Sequence, residues 1–188
     1  MALALVVPSA VASADPLEVG AWAGSRVFSD NSFLGYIESA PDHPTLSNGM
    51  VFGVRVSRPL LSWLVPEIEL PVSFTETTEY DVSVTWLAPR IQARLEFMPD
   101  AQVRPFLVVG GGATIALSSA RRIYASDILG NGYVGIGGAW APPQKRWGLR
   151  ADARVSIDPG TRPVVTVEFE AGIGAWVEFG GPAAPTAT

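Results

Sequence analysis

Few residues of this chain are of a type that does covalent chemistry. The 188 residues include one histidine and no cysteine, which excludes disulfides, thiolate metal sites and a cysteine nucleophile. His43 stands between Asp42 and Pro44 in a polar stretch. A catalytic histidine must be held by a rigid neighbour, so a solvated loop histidine is the expectation there. Glu168 and Glu170 have the spacing of an acid pair on one strand face. Arg150 and Arg154 stand on the strand before them, so ion pairing is the expected role. Gly110-Gly111-Gly112 follows an apolar run but lacks the Gly-Lys-Ser/Thr of a phosphate loop, and close strand packing is the better reason for it. Arg121-Arg122 is the kind of pair that meets anionic sugars or phosphate, although two exposed arginines do not make a site. The carboxylates lack histidine or cysteine company, so no metal is expected. No catalytic residue, cofactor or enzymatic activity is expected.

What the chain does hold is arginine and carboxylate at strand spacing: Arg55, Glu67, Arg94, Glu96, Arg104, Arg150, Asp152, Arg154, Glu168 and Glu170. These charges sit in an unusually apolar chain. Hydrophobic residues make up 48% and charged ones 16%, against roughly 25% charged in an average soluble domain. Mean hydropathy is +0.26, yet no run approaches the ~18 apolar residues of a spanning helix. Nineteen glycines and 16 prolines do not suit a helix bundle. A net charge of -5 argues against nucleic acid as a partner.

The elements that must position these charges are strands. Val165, Val167, Phe169, Ala171, Ile173, Ala175, Val177 and Phe179 alternate with Thr166, Glu168, Glu170, Gly172, Gly174, Trp176 and Glu178, a period of two. The same alternation runs through 149–157 and 103–117, and less cleanly through 17–27, 52–57, 67–74, 82–95 and 133–140. Within 82–95, Val82, Val84 and Trp86 hold one apolar phase and Ile91, Ala93 and Leu95 the other. That predicts a one-residue slip with a bulge at Ala88-Pro89. About eight strands result. Short connections (59–63, 97–102, 142–146) alternate with longer ones (28–48, 75–79, 118–127, 158–163).

Two arrangements fit alternating strands. A soluble barrel or sandwich buries its apolar face, whereas a membrane barrel turns that face outward. Glycines 20, 24, 110, 112, 135, 137, 172 and 174 fall on the polar face, which suits a crowded interior. Lys145 is the only lysine, where an exposed soluble face would carry several. Hairpin arithmetic sets Arg154 level with or diagonal to Glu168, Arg150 close to Glu170, Arg55 near Glu67, Glu67 near Arg94 and Glu96 near Arg104. A matched layer of this kind is required only where an unpaired charge would cost several kcal/mol, on the order expected in a dry lumen. Val165, Val167, Phe169, Ile173 and Val177 are then the lipid-facing set. Trp63, Phe97 and Trp147 beside short turns, and Phe74 and Tyr80 beside a long one, are placed like interfacial girdles.

With this pattern the chain resembles the eight-stranded outer-membrane barrels of Gram-negative bacteria, similar to the OmpA-family barrel domain and to small OmpX-like proteins. Residues 1–14 are similar to the back half of a signal peptide, with Ala12-Ser13-Ala14 before Asp15. Residues 15–179 form the barrel, an all-β antiparallel up-and-down transmembrane fold. Residues 180–188 (GGPAAPTAT) resemble the Pro/Ala linker that follows such a barrel. The terminal Val177-Glu178-Phe179 is similar to the aromatic signature that barrel-assembly machinery recognises. The resemblance implies outer-membrane lipid and lipopolysaccharide around the wall and a lumen plugged by charged side chains. It also implies a structural or surface-interaction role carried by the loops. A small porin-like channel is the alternative, and a soluble barrel binding an apolar ligand the second. The exposure of Val167, Phe169 and Ile173 separates the membrane readings from the soluble one.

Overall fold

A computed structural model describes residues 16–37, 44–160 and 165–180. Residues 1–15, which contain the signal-like segment, lie outside the described residues. So do His43 and residues 181–188 of the tail. The described chain is built from β1 (Leu17–Val27), β2 (Gly49–Ser57), β3 (Leu64–Glu76), β4 (Ser83–Leu87), β5 (Arg90–Glu96), β6 (Val103–Ser118), β7 (Asp127–Trp140), β8 (Trp147–Pro159) and β9 (Val165–Phe179). Every pairing is antiparallel, and β1 pairs with both β2 and β9, so the sheet closes on itself. β4 and β5 both lie between β3 and β6 and are two halves of one stave. The barrel therefore has eight staves.

The slip expected at Ala88-Pro89 does not occur. Leu87 pairs with Val72 and Arg90 with Glu69, so the two halves keep one register against β3. Against β6, Leu87 pairs with Ile115 and Arg90 with Gly112, again without an extra residue. Pro89 lacks an N–H and interrupts the ladder, while its carbonyl still accepts from the Ala113 amide at 3.1 Å. The even-numbered residues point inward throughout this stave. What changes along it is the chemistry of the interior, which passes from Val84 and Trp86 to Arg90, Gln92 and Arg94.

The barrel is inside out relative to a soluble protein. Glu67 and Glu69 are each 1% exposed, whereas Ile173 and Phe74 are 72% and 71% exposed. Among the lipid-facing set named above, Val165, Val167, Phe169 and Val177 are also exposed. Water would make such an exterior a very large apolar patch, which a monomeric soluble protein does not carry; a bilayer makes it the favourable face. Trp63 and Phe74 lie eleven residues apart on one stave. At a rise of ~3.3 Å per residue and a tilt near ~40°, that separation spans about 28 Å of height, close to the hydrocarbon thickness. Trp140 and Trp147 meet edge to face at 5.7 Å across the turn that joins β7 to β8.

Glycines on the inner face make room for large luminal side chains. A Cβ at Gly172 would come within 2.6 Å of the Trp22 ring, and one at Gly137 within 2.4 Å of Phe106.

Candidate functional site

The charged interior is the feature that needs the whole barrel to exist. Alternation puts one side chain in two into the lumen, and eight staves leave a bore narrow enough for opposite arms to meet. Among the described residues seven arginines enter it (Arg26, Arg55, Arg90, Arg94, Arg104, Arg150 and Arg154) along with eight carboxylates (Glu18, Glu67, Glu69, Glu96, Asp152, Asp158, Glu168 and Glu170). At the short-turn end, Arg94 bonds Glu18 at 2.7 Å, Glu67 at 2.9 Å and Glu96 at 3.0 Å, and Arg104 reaches Glu96 at 3.1 Å. Arg150 holds Glu67 at 2.7 Å and Asp152 at 2.8 Å.

At mid-height Arg154 is the hub. It makes two bonds to Glu69, at 2.6 and 2.9 Å, and reaches Asp152 at 2.9 Å and Glu170 at 3.5 Å. Arg55 approaches Asp152 at 3.3 Å and Glu69 at 3.6 Å. Arg90 clamps Glu170 at 2.7 and 2.6 Å. Nearer the long loops, Arg26 holds Glu168 and Glu170, each at 3.0 Å, and Ser156 at 3.2 Å. Aromatic rings cover the guanidinium faces: Trp86 lies 4.4 Å from Arg26, Phe106 4.4 Å from Arg150, and Tyr133 near both Arg90 and Arg154. Planar stacking and forked hydrogen bonding together are what arginine supplies and lysine does not.

One expected pair falls elsewhere, and two keep their register but bond other partners. Arg150 is level with Gly174 and not close to Glu170; its carboxylate partners are Glu67 and Asp152. Arg154 is level with Glu170 and so diagonal to Glu168, as expected, although the ion pair to Glu168 is made by Arg26. Arg55 is level with Glu69 and diagonal to Glu67, so it stands near Glu67 as expected while its ion pairs go to Glu69 and Asp152. The Glu67–Arg94 and Glu96–Arg104 pairs are present at the distances given above. Two causes act: the β8–β9 register sets Arg150 four residues away from the level of Glu170, and several partners lie beyond the neighbouring stave. Hairpin arithmetic sees neighbouring staves only, whereas Glu67–Arg150, Glu69–Arg154 and Arg90–Glu170 cross the lumen between staves that are not adjacent.

Arg26, Arg90, Glu18, Glu69 and Asp158 were not singled out from the sequence. Arg26 and Glu18 continue the Glu18, Gly20, Trp22 series by simple steps of two, a legible signal. Arg90 shares the phase of Arg94 beyond Pro89 and was legible in the same way; what the supposed slip misplaced was Val84 and Trp86, which it turned outward and which line the lumen.

A gap bordered by Arg55, Arg94 and Arg150 has a volume of about 10 Å³, room for roughly one water molecule. Among the described residues no group of carboxylates is arranged to hold a metal ion. The arrangement is suited to rigidity: each charge has at least one opposite partner, and the arms of remote staves are tied together.

At the other end of the lumen the lining turns apolar. Phe28, Leu34, Leu46, Val51, Val84, Trp86, Ala116 and Tyr124 pack as one buried cluster. Burial raises the pKa of the Tyr124 hydroxyl well above that of a free phenol, with Glu168 and Asp127 adding to the effect.

No family model matches the chain, and no curated protein matches it. Solved structures do. Neisserial surface protein A (NspA) superposes with a TM-score of 0.65 at 16% identity, covering 87% of this chain and 97% of that one. The outer membrane protein OprG from Pseudomonas aeruginosa gives 0.63 at 10% identity, with 89% and 97% covered. The N-terminal β-barrel domain of Pseudomonas aeruginosa OprF gives 0.53 at 14%, with 88% and 98% covered. These likenesses concern the fold; the apolar exterior and charged bore supply the physical reason for it. The chain has the closed eight-stranded antiparallel barrel of small outer-membrane proteins, turned apolar side out toward lipid.

Proposed function

We propose that the protein is an outer-membrane barrel with a closed lumen, serving a structural or surface-interaction role through its long loops and carrying no catalytic centre. The observation that supports this reading is the set of ion pairs spanning the bore, Glu67–Arg150 at 2.7 Å, Glu69–Arg154 at 2.6 Å and Arg90–Glu170 at 2.6 Å. Side chains so tied leave little space for an ion and its hydration shell. Outer-membrane lipid and lipopolysaccharide would surround the wall. The barrel-assembly machinery would read β9 through its end at Phe179.

Planar-bilayer recording on the refolded chain tests the reading. A folded, inserted protein should give no steady current. Reproducible unitary currents would assign the protein to the small channels instead.

A further inference from the structure

We propose that the first long loop carries a stopper that seals the outer mouth of the barrel independently of the ion pairs beneath it. Leu34 and Leu46 belong to the connection between β1 and β2, yet they are only 3% and 7% exposed. They pack with Trp86, Val84 and Val51 of the wall and with Tyr124 of the β6–β7 connection. The loop passes close beneath that tyrosine at Gly35, where φ is 73° and a Cβ would lie 2.2 Å from the Tyr124 ring. Only glycine fits both the left-handed backbone and the approach.

The same loop is fastened to two of the other long connections and, at Pro159, to the end of β8 where the third begins. The Phe33 amide donates to the Pro159 carbonyl at 3.1 Å, the Ala125 amide to the Gly35 carbonyl at 3.0 Å, and the Thr78 amide to the Thr45 carbonyl at 2.9 Å. A segment merely lying over the mouth would not need bonds to all three. Directly below, Arg26 stacks on Trp86 at 4.4 Å, so the floor of the stopper is the roof of the charged layer. The two closures differ in kind. The lower one works by charge pairing. The upper one excludes water because its lining is apolar, as hydrophobic constrictions do in channels.

This inference rests on the closed-lumen reading, and the experiment separates the two. Currents are recorded from four refolded full chains: native, Leu34→Ser with Leu46→Ser, Glu69→Ser with Arg154→Ser, and all four changes together. Folding of each is checked beforehand by its gel mobility with and without heating. The expected result is current from the fourfold variant alone. Current from the native chain would overturn the closed-lumen reading. A silent native chain with current from either double variant would overturn independent sealing while leaving that reading intact. Silence of the fourfold variant would mean that Glu67–Arg150 and Arg90–Glu170 still span the bore, and the thiol reporter below then decides for or against the stopper.

Should the fourfold variant fail to fold, a reporter beneath the stopper decides. Val51→Cys gives the chain its only thiol. A membrane-impermeant maleimide should modify it about tenfold or more faster in the Leu34→Ser, Leu46→Ser background, the effect of loosening a local closure by ~1.4 kcal/mol. Equal rates in the two backgrounds would overturn the proposal.

Discussion

Arg154 ties three carboxylates together at mid-height, Glu69, Asp152 and Glu170. Its truncation to alanine leaves Glu69 with contacts to Arg55 and Arg90 at 3.6 Å and leaves Asp152 short of one partner. A cost of about 3–5 kcal/mol is expected for breaking such a buried pair, read as a lower urea midpoint for unfolding from lipid. Arg154→Lys should recover only part of it, because an ammonium can neither fork to Glu69 nor lie flat against Tyr133. Glu168 should be little affected by either change, since Arg26 holds it. Glycines provide a second contrast. Gly172→Ala pushes a methyl group into Trp22 and should cost about 1–3 kcal/mol through overpacking. At Gly138, which faces outward, an added Cβ meets nothing within 4 Å, and Gly138→Ala should be neutral or slightly stabilising by the same assay.

The strands were the most legible part of the sequence, because a period of two with a charged face survives any uncertainty over bounds. The stave containing Pro89 shows the limit of that reading. Val84 and Trp86 are apolar and Ile91 and Leu95 are apolar, yet the first pair faces the lumen and the second faces lipid. Periodicity reports a change of phase there, whereas the real change is in what the lumen contains: an apolar stopper above, ions below. Register continuity gives a prediction. Pro89→Val restores an N–H opposite Ala113 without moving any neighbour, so it should raise stability by about 0.5–1.5 kcal/mol, the worth of one ladder bond. A stave with a bulge would lose stability from the same change. Height along the wall can be tested as well. Ile173 stands midway between the two aromatic rims, while Phe169 pairs with Val27 near the end of β1. Arginine at Ile173 should cost about 2–4 kcal/mol, and arginine at Phe169 distinctly less, because the penalty falls toward the interface.

At the scale of the molecule, the eight-staved closure, the outward apolar face and part of the charge pairing could be read from residue order. The cross-lumen pairs could not, because they depend on the bore being narrow, and the bore is a property of the closed ring. The stopper was hidden for a related reason: Leu34 and Leu46 lie in a polar segment, and nothing local says that they turn inward. One feature of the ring bears on how the protein comes to exist. The seam joins β1 to β9, pairing Leu17 with Phe179, the two ends of the described chain. Arg26 finds Glu168 and Glu170 only across that seam. Before it forms, every stave presents lipid-seeking side chains on one side and unmatched ions on the other, and no partial sheet satisfies both. Contacts of such long sequence separation form slowly. The newly made chain therefore spends its vulnerable time unfinished and prone to clump, and removing β9 should leave aggregates and no smaller folded product.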